Sequence, residues 1–259
     1  MRSSFLSLIL ASIAAAQGTP GPVDIAGDVA RVKAMPRVRD GKDILEKAAR
    51  YCDSAVPPDD ACAEAYDWYG IVLQVDNKPE TLRRVEPLYQ RALELRQDNA
   101  TNPGAMALSL ELEAMALVLI DPDYTARAQP MQAQARELRA ASVQALEAEP
   151  VKVFITPPLV KPDPEHKASG GVVPPAVIYK VDPQYAEEAR LLKYSGTVML
   201  SIIVDASGLA RSIRIAKGLG FGLDEKAVEA VHQWVFRPGM KDGNPVNVKA
   251  TIAVNFRLL

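Results

Sequence analysis

The C-terminal fold is decided by one stretch of sequence, Gly196-Thr197-Val198-Met199-Leu200-Ser201-Ile202-Ile203-Val204-Asp205-Ala206-Ser207-Gly208. Its apolar residues at every second position predict a β-strand, because successive side chains of a strand point to opposite faces. One face would carry Val198, Leu200, Ile202 and Val204. Asp205 to Gly208 has the composition of a tight turn. A second alternating run follows, so the sequence predicts a β-hairpin with one apolar face. That second run contains Leu209, Arg211, Ile213 and Ile215.

Two helices are predicted around this hairpin. Apolar residues recur at helical spacing from Leu223 to Val235, with acidic residues in the first turn, and Pro238-Gly239 ends the pattern. Upstream, Asp182 is a predicted N-cap and Pro183 a predicted first helical residue. Proline is tolerated there because the N–H that it lacks would have no partner within the helix. The predicted buried stripe of the upstream helix contains Tyr185, Ala189 and Leu192.

The chain ends on its longest alternating segment, which predicts a strand with one solvent-exposed face. The apolar face contains Val246, Val248, Ala250, Ile252, Val254, Phe256 and Leu258. The polar face contains Asn247, Lys249, Thr251, Asn255 and Arg257. A further short strand at residues 176–180 would precede these elements. The economical packing is two helices on one face of a three-stranded antiparallel sheet. We assign this module to residues 176–259.

Residues 41–149 are rich in Ala, Leu, Glu and Arg, and they predict an all-α region of about five helical segments. The predicted breaks are Pro57-Pro58, Asn77-Lys78-Pro79, Asn102-Pro103-Gly104 and Asp121-Pro122-Asp123. Residues 87–96 align with residues 130–139 at an offset of 43. This is either chance similarity between helices of like composition or an internal repeat. As a repeat it resembles a degenerate tetratricopeptide array of helical hairpins, which would bind a partner in a groove or serve as a spacer or dimerisation surface.

The N-terminus has the features of an export signal. Arg2 precedes an apolar run from Phe5 to Ala16, and small residues precede Gln17. We predict a signal peptide at residues 1–16, a flexible segment at 17–40 and a Pro-rich linker at 150–175. The apolar run is shorter than a membrane-spanning helix. A cleaved signal would leave a periplasmic protein, whereas an uncleaved one would anchor it in the inner membrane.

The two cysteines, Cys52 and Cys62, predict a disulfide between consecutive helices in an exported chain. With two histidines far apart in sequence, no metal site is predicted. The glycines from Gly218 to Gly222 lack the pattern of a nucleotide-binding loop, so we expect no cofactor and no enzymatic activity. The net charge of −2 gives no reason to expect nucleic acid as a partner.

Several short motifs follow one another in the C-terminal part: Pro183-Gln184-Tyr185, Ser195-Gly196-Thr197-Val198, Val204-Asp205-Ala206-Ser207-Gly208, Leu223-Asp224-Glu225-Lys226-Ala227, Trp234-Val235-Phe236-Arg237-Pro238-Gly239 and Asp242-Gly243-Asn244-Pro245-Val246. In this order they resemble the C-terminal domain of the TonB energy-transducer family over about a third of the chain. One departure is Ala186, where family members often have proline.

The resemblance implies a periplasmic, non-enzymatic module for transport or energy transduction. Such a module adds an extended segment of an outer-membrane receptor, or of another envelope protein, to a sheet edge. The expected edge is the final strand, made of Val246, Asn247, Val248, Lys249, Ala250, Thr251, Ile252, Ala253, Val254, Asn255 and Phe256. The alternative is a scaffold whose partner binds the helices, with the module forming a homodimer.

Overall fold

The structure, a computed structural model, describes residues 23–54, 59–75, 78–98, 102–148 and 171–258. The predicted signal peptide, the Pro57-Pro58 break and residues 150–170 of the predicted linker lie outside these ranges. The described residues form a helical region, residues 23–148, followed by a C-terminal module of strands and helices, residues 171–258. The predicted α+β class is therefore confirmed.

Within the described residues, the helical region contains six α-helices. They are α1 Ile25–Lys33, α2 Lys42–Ser54, α3 Asp60–Val75, α4 Pro79–Asp98, α5 Pro103–Ile120 and α6 Thr125–Ala148. Short 3₁₀ turns lie at Val38–Gly41 and Pro122–Tyr124. Helix α5 begins where the sequence predicts a break, because the Asn102 side chain accepts a hydrogen bond from the Ala105 N–H and caps it.

Helix α1 lies in residues 17–40, which the sequence predicted to be a flexible segment. That prediction is wrong for residues 25–33. The Asp24 side chain caps the helix by accepting a hydrogen bond from the Gly27 N–H. Ile25, Val29 and Val32 are buried against the neighbouring helices. So short a helix is stabilised by this packing rather than by intrinsic propensity.

Two successive helical hairpins, α3–α4 and α5–α6, account for the predicted repeat. Helix α3 begins at Asp60 and α5 at Pro103, which is 43 residues later. Pro87 and Pro130, the first residues of the aligned segments, both lie inside the second helix of their hairpin. The offset of the sequence repeat therefore equals the offset of the hairpins. The likeness to tetratricopeptide arrays stays a prediction.

The interior of the helical region contains a buried stripe on α3 and another on α5. On α3 the buried members are Ala63, Tyr66, Tyr69, Val72 and Leu73, and on α5 they are Leu110, Ala114 and Leu117. By length and composition alone α5 could also span a membrane. Here it packs between α4 and α6 and contributes the buried Glu111 to an ion pair with Arg139.

The C-terminal module contains eight strands and two helices in the part of the chain that the structure describes. The strands are β1 Val172–Val173, β2 Ala176–Tyr179, β3 Gly196–Val204, β4 Ala210–Lys217, β5 Val235–Arg237, β6 Gly239–Lys241, β7 Asn244–Val246 and β8 Val248–Phe256. The helices are α7 Glu187–Leu191 and α8 Leu223–Val231. The central antiparallel sheet has the order β4-β3-β8, with smaller sheets β2-β5 and β1-β6-β7 beside it.

Strand β3 agrees with the sequence pattern, because its four predicted inward residues are fully buried. Strand β4 departs from strict alternation. Ala210 and Ile213 are buried while Arg211 is exposed, because the pairing with β3 shifts register between Ser201 and Ile203. Ser212, which lies opposite this shift, has a φ of +50°. This is a β-bulge, which adds a residue to one strand and rotates the side chains that follow.

Both helices of the module are shorter than predicted. Helix α7 begins at Glu187 rather than after Asp182, and α8 ends at Val231, so Trp234 and Val235 lie outside it. Instead of continuing α8, Trp234 contacts the segment that precedes α7. The Trp234 indole N–H donates to the Val181 carbonyl oxygen at 2.8 Å, and the chain then continues into β5, which pairs with β2. The apolar spacing near Trp234 suits a helix and a strand equally.

The helical region and the C-terminal module share one hydrophobic core. Leu112 of α5 and Val143 of α6 belong to the same buried cluster as Phe221 and Leu223 of the module. Helix α6 packs against α8 and β4, and α3 contacts α7. The two parts are therefore packed together rather than separated by a spacer.

Cys52 on α2 and Cys62 on α3 form a disulfide, with their Cα atoms 5.6 Å apart. Both residues are buried beside the packing contact of the two helices. The disulfide joins residues ten positions apart and so closes a short loop. This crosslink lowers the conformational entropy of the unfolded chain.

We predict that replacing both cysteines with alanine lowers the free energy of unfolding by about 3 kcal/mol, because the unfolded chain regains the entropy of the open loop. Urea unfolding followed by circular dichroism measures this. The wild-type chain with a reductant should match the double variant, which serves as the control and should not respond to the reductant. Unchanged stability of the wild-type chain on reduction would contradict the assignment.

Candidate partner-docking edge

Strand β8 forms one edge of the central sheet. It pairs with β3 over nine residues, from Val248 to Phe256. In the ranges that the structure describes, no strand pairs with the other side of β8. An edge strand presents N–H and C=O groups at alternate residues to whatever lies beside it. Strand β8 can therefore accept a further strand.

The predicted site residues from Val246 to Phe256 do not form one continuous strand. Val246 belongs to β7 and pairs with Gly239, whereas β8 begins at Val248. Asn247 separates the two strands, and its side-chain oxygen accepts a hydrogen bond from the Ala206 N–H at 3.0 Å. This contact fixes the chain where it passes from the small sheet to the central one. The sequence missed the break because the alternation continues through it.

The predicted two faces of β8 are present from Val248 to Phe256. Val254 and Phe256 are buried, and Val248, Ala250 and Ile252 are half-buried. The opposite face is exposed and contains Lys249, Thr251, Ala253 and Asn255. The Asn255 side-chain oxygen accepts a hydrogen bond from the Thr197 hydroxyl at 2.7 Å. A segment added to β8 would therefore meet one apolar and one polar face.

The opposite edge of the central sheet, on β4, is covered by α6. The Ile213 N–H, next to the bulge, donates to a carboxylate oxygen of Glu147 at 3.0 Å. The other oxygen of Glu147 lies 2.9 Å from Nε2 of His232 on the C-terminal end of α8. Burial lowers the pKa of His232, as does Arg211, whereas the Glu147 charge opposes the shift. Because Glu147 takes the place of a strand at this point, β4 is a poor site for strand addition.

A buried ion-pair network fixes α6 against the module. Arg139 of α6 donates from two nitrogens to the two carboxylate oxygens of Glu111 at 3.2 and 2.8 Å. Its third nitrogen donates to Glu225 of α8 at 2.9 Å. Glu111 also accepts the Phe221 N–H at 2.7 Å. Burial raises the pKa of Glu111, while Arg139 opposes the shift.

The same arrangement occurs one repeat earlier in the chain. Arg96 lies 43 residues before Arg139 and is also buried. It donates to Asp67 on α3 of its own hairpin and to Ser109 on α5 of the next hairpin. Arg139 likewise binds an acid of its own hairpin and then reaches Glu225. Arg139 therefore joins its hairpin to the module as Arg96 joins its hairpin to the next one.

Comparison with known protein families finds a match in the C-terminal module. A family model described as the Gram-negative bacterial TonB protein C-terminal matches residues 181–258. Residues 181–258 are a TonB C-terminal domain. Protein TonB of Vibrio cholerae serotype O1 (strain ATCC 39315 / El Tor Inaba N16961) is 37% identical over 86 residues, which are 33% of this chain. The chain spans 35% of the length of that relative. No solved structure matches the chain.

The TonB C-terminal domain includes α7, the central sheet, α8 and the β6–β7 hairpin, and β8 is its last strand. The helical region lies outside the matched residues. Sequence reasoning found β8 but missed the residues that join the domain to the helices, Glu111, Arg139, Glu147 and Glu225. The sequence does contain one indication of this interface, because Arg96 and Arg139 occupy equivalent positions in the aligned segments 87–96 and 130–139.

We predict that Arg139→Ala lowers the free energy of unfolding by about 3–5 kcal/mol, because it leaves the Glu111 carboxylate buried without its cation. The matched control is Arg136→Ala, one turn earlier on α6 and exposed, which should cost less than about 0.5 kcal/mol. Urea denaturation of both variants measures the difference.

The double variant Glu111→Gln with Arg139→Met removes both charges together. It should recover part of the lost stability, since the buried carboxylate of Glu111 is gone and the one carboxylate left without Arg139 is that of Glu225, which is partly exposed. Equal costs for Arg139→Ala and Arg136→Ala would show that the network does not form.

Proposed function

We propose that this chain is a non-enzymatic protein of the TonB type that binds an extended segment of an outer-membrane receptor by adding it as a strand to β8. The observation that carries the proposal is the difference between the two edges of the central sheet. Among the described residues, no strand pairs with the outer side of β8, whereas β4 is covered by α6 and Glu147. The binding would serve transport or energy transduction across the cell envelope.

The chemistry of β8 suits this role. Strand addition gains affinity from main-chain hydrogen bonds, so the receptor segment needs no particular side chain at most positions. Preference then comes from alternate side chains, which would contact either the apolar face near Val254 or the polar face near Thr251. Lys249, at the start of β8, is exposed. A lysine on an edge strand also limits uncontrolled pairing between copies of the chain.

The predicted export signal supports a periplasmic location, which is where a receptor segment would be met. If the signal is cleaved, the protein acts as a periplasmic adaptor. If it is retained, the same run anchors the protein in the inner membrane. In either form the helical region would travel with the TonB C-terminal domain, because the two share a core.

The test is amide hydrogen exchange by NMR, with and without a synthetic peptide from a periplasm-facing segment of an outer-membrane receptor. In the free protein, alternate residues of β8 should exchange fast, because their N–H groups point away from β3. Those amides should gain protection when the peptide binds. Protection on α1–α6 instead would support the alternative, a scaffold whose partner binds the helices.

Two alternative single proline variants in β8 sharpen the test. Thr251 and Ile252 are neighbours in β8, so the N–H of one points to β3 and the N–H of the other points outward. Proline at the outward position, identified by its fast exchange, should leave the fold intact and weaken peptide binding at least tenfold. Thr251→Ala, which keeps the backbone N–H, should bind within about threefold of wild type. Unchanged binding by the folded proline variant would contradict strand addition.

A further inference from the structure

A second surface of the molecule has the features of a binding site, and it shares no residue with β8. Two adjoining hollows of about 520 and 450 Å³ lie where the helical region meets α7. They share Arg39, Val75, Leu191 and Lys193 as lining residues. The walls come from the 3₁₀ turn at Val38–Gly41, the ends of α3 and α5, and the end of α7. Volumes of this size are typical of ligand pockets.

This cleft, defined by the residues lining the two hollows, has an apolar floor. Met115 and Leu119 of α5 lie beside Leu191 and Leu192 of α7. The Leu119 side chain is 46% exposed, which is high for a large apolar residue beside a shared core. An exposed apolar surface that is bordered by polar groups commonly marks a site of protein association.

The border of the cleft is strongly basic. Arg37, Arg39 and Lys193 line it, together with Arg190, which is paired with Glu187. Asp40 is the one acid among the lining residues of the two hollows. A concave surface lined by one sign of charge raises the local concentration of ligands of the opposite sign. The ligand that complements this cleft therefore carries carboxylates and apolar side chains together.

Lys193 is held in an unusual backbone conformation at the cleft. Its φ is +54°, in the left-handed region that favours glycine. It follows α7 in a turn where the Tyr194 N–H donates to the Ala189 carbonyl oxygen at 2.8 Å, an arrangement in which glycine is the usual residue. A lysine at this position adds a cation to the cleft at a conformational cost.

We propose that this cleft binds an acidic, apolar segment of a partner protein, in addition to the strand bound at β8. Carboxylates of the segment would lie against Arg37 and Lys193, and its apolar side chains would lie over Leu119 and Leu191. The cleft exists only because the helical region packs against the TonB C-terminal domain. The proposal does not depend on strand addition at β8.

The probe is a fluorescein-labelled peptide of alternating Glu and Leu, with a Lys and Leu peptide of the same pattern as the control. Fluorescence anisotropy with the full chain at low salt should show binding of the acidic peptide and at least tenfold weaker binding of the basic one. Arg37→Glu with Lys193→Glu should weaken binding of the acidic peptide by about tenfold or more. Arg83→Glu, an exposed charge reversal on α4 outside the cleft, should stay within about twofold of wild type.

Lys193→Gly separates binding from folding. Glycine adopts positive φ without strain, so this variant should keep or raise the Tm while it weakens binding of the acidic peptide. A β8 proline variant that stays folded should bind the acidic peptide as wild type does. No binding of the acidic peptide, equal binding of the basic peptide, or unchanged binding in the double charge reversal would overturn the proposal.

Discussion

The arrangement of the whole molecule depends on one buried cation, Arg139. It binds Glu111 of its own helical hairpin and Glu225 of the TonB C-terminal domain, and Glu111 in turn accepts the Phe221 N–H of that domain. Buried charges are costly unless they are paired and hydrogen-bonded, so this set of groups is stable in one relative position of the two parts. The ion pairs therefore specify the orientation that the surrounding apolar core stabilises.

That orientation has a consequence for partner binding. With the domain fixed on α6, Glu147 reaches the bulge of β4 and accepts the Ile213 N–H. The helical region thereby occupies one edge of the central sheet, whereas at the other edge none of the described strands pairs with the outer side of β8. It also creates the basic cleft beside α7. A TonB C-terminal domain by itself would lack both the covered edge and the cleft.

Much of this structure was predictable from local pattern. The inward side of β3, the turn at Asp205 to Gly208 and the helical hairpins follow from spacing, caps and turn residues. The division between β7 and β8 was not predictable, because alternation continues through Asn247 and the break depends on its contact with Ala206. The end of α8 depends similarly on a contact between Trp234 and Val181.

The interface between the two parts was the least predictable feature. Its ion pairs join residues that are 28 and 86 positions apart in sequence. The spacing of apolar residues along the chain does not predict contacts between residues so far apart. The Pro-rich composition after residue 149 favoured an extended spacer, yet the parts on either side of it pack together. Only the recurrence of arginine at positions 96 and 139 hinted at a common role, and the partner of the second arginine belongs to the other part of the chain.

The most direct test of the account is to cleave the chain between its two parts and ask whether they stay together. A protease site inserted between Lys161 and Ser169 would be cut to completion, and the product examined by size-exclusion chromatography in native buffer at micromolar concentration. The shared core and the Arg139 network predict that both fragments elute together at the position of the uncut chain. Separate elution of the two fragments would show that the helical region and the TonB C-terminal domain are independent, and would contradict the account.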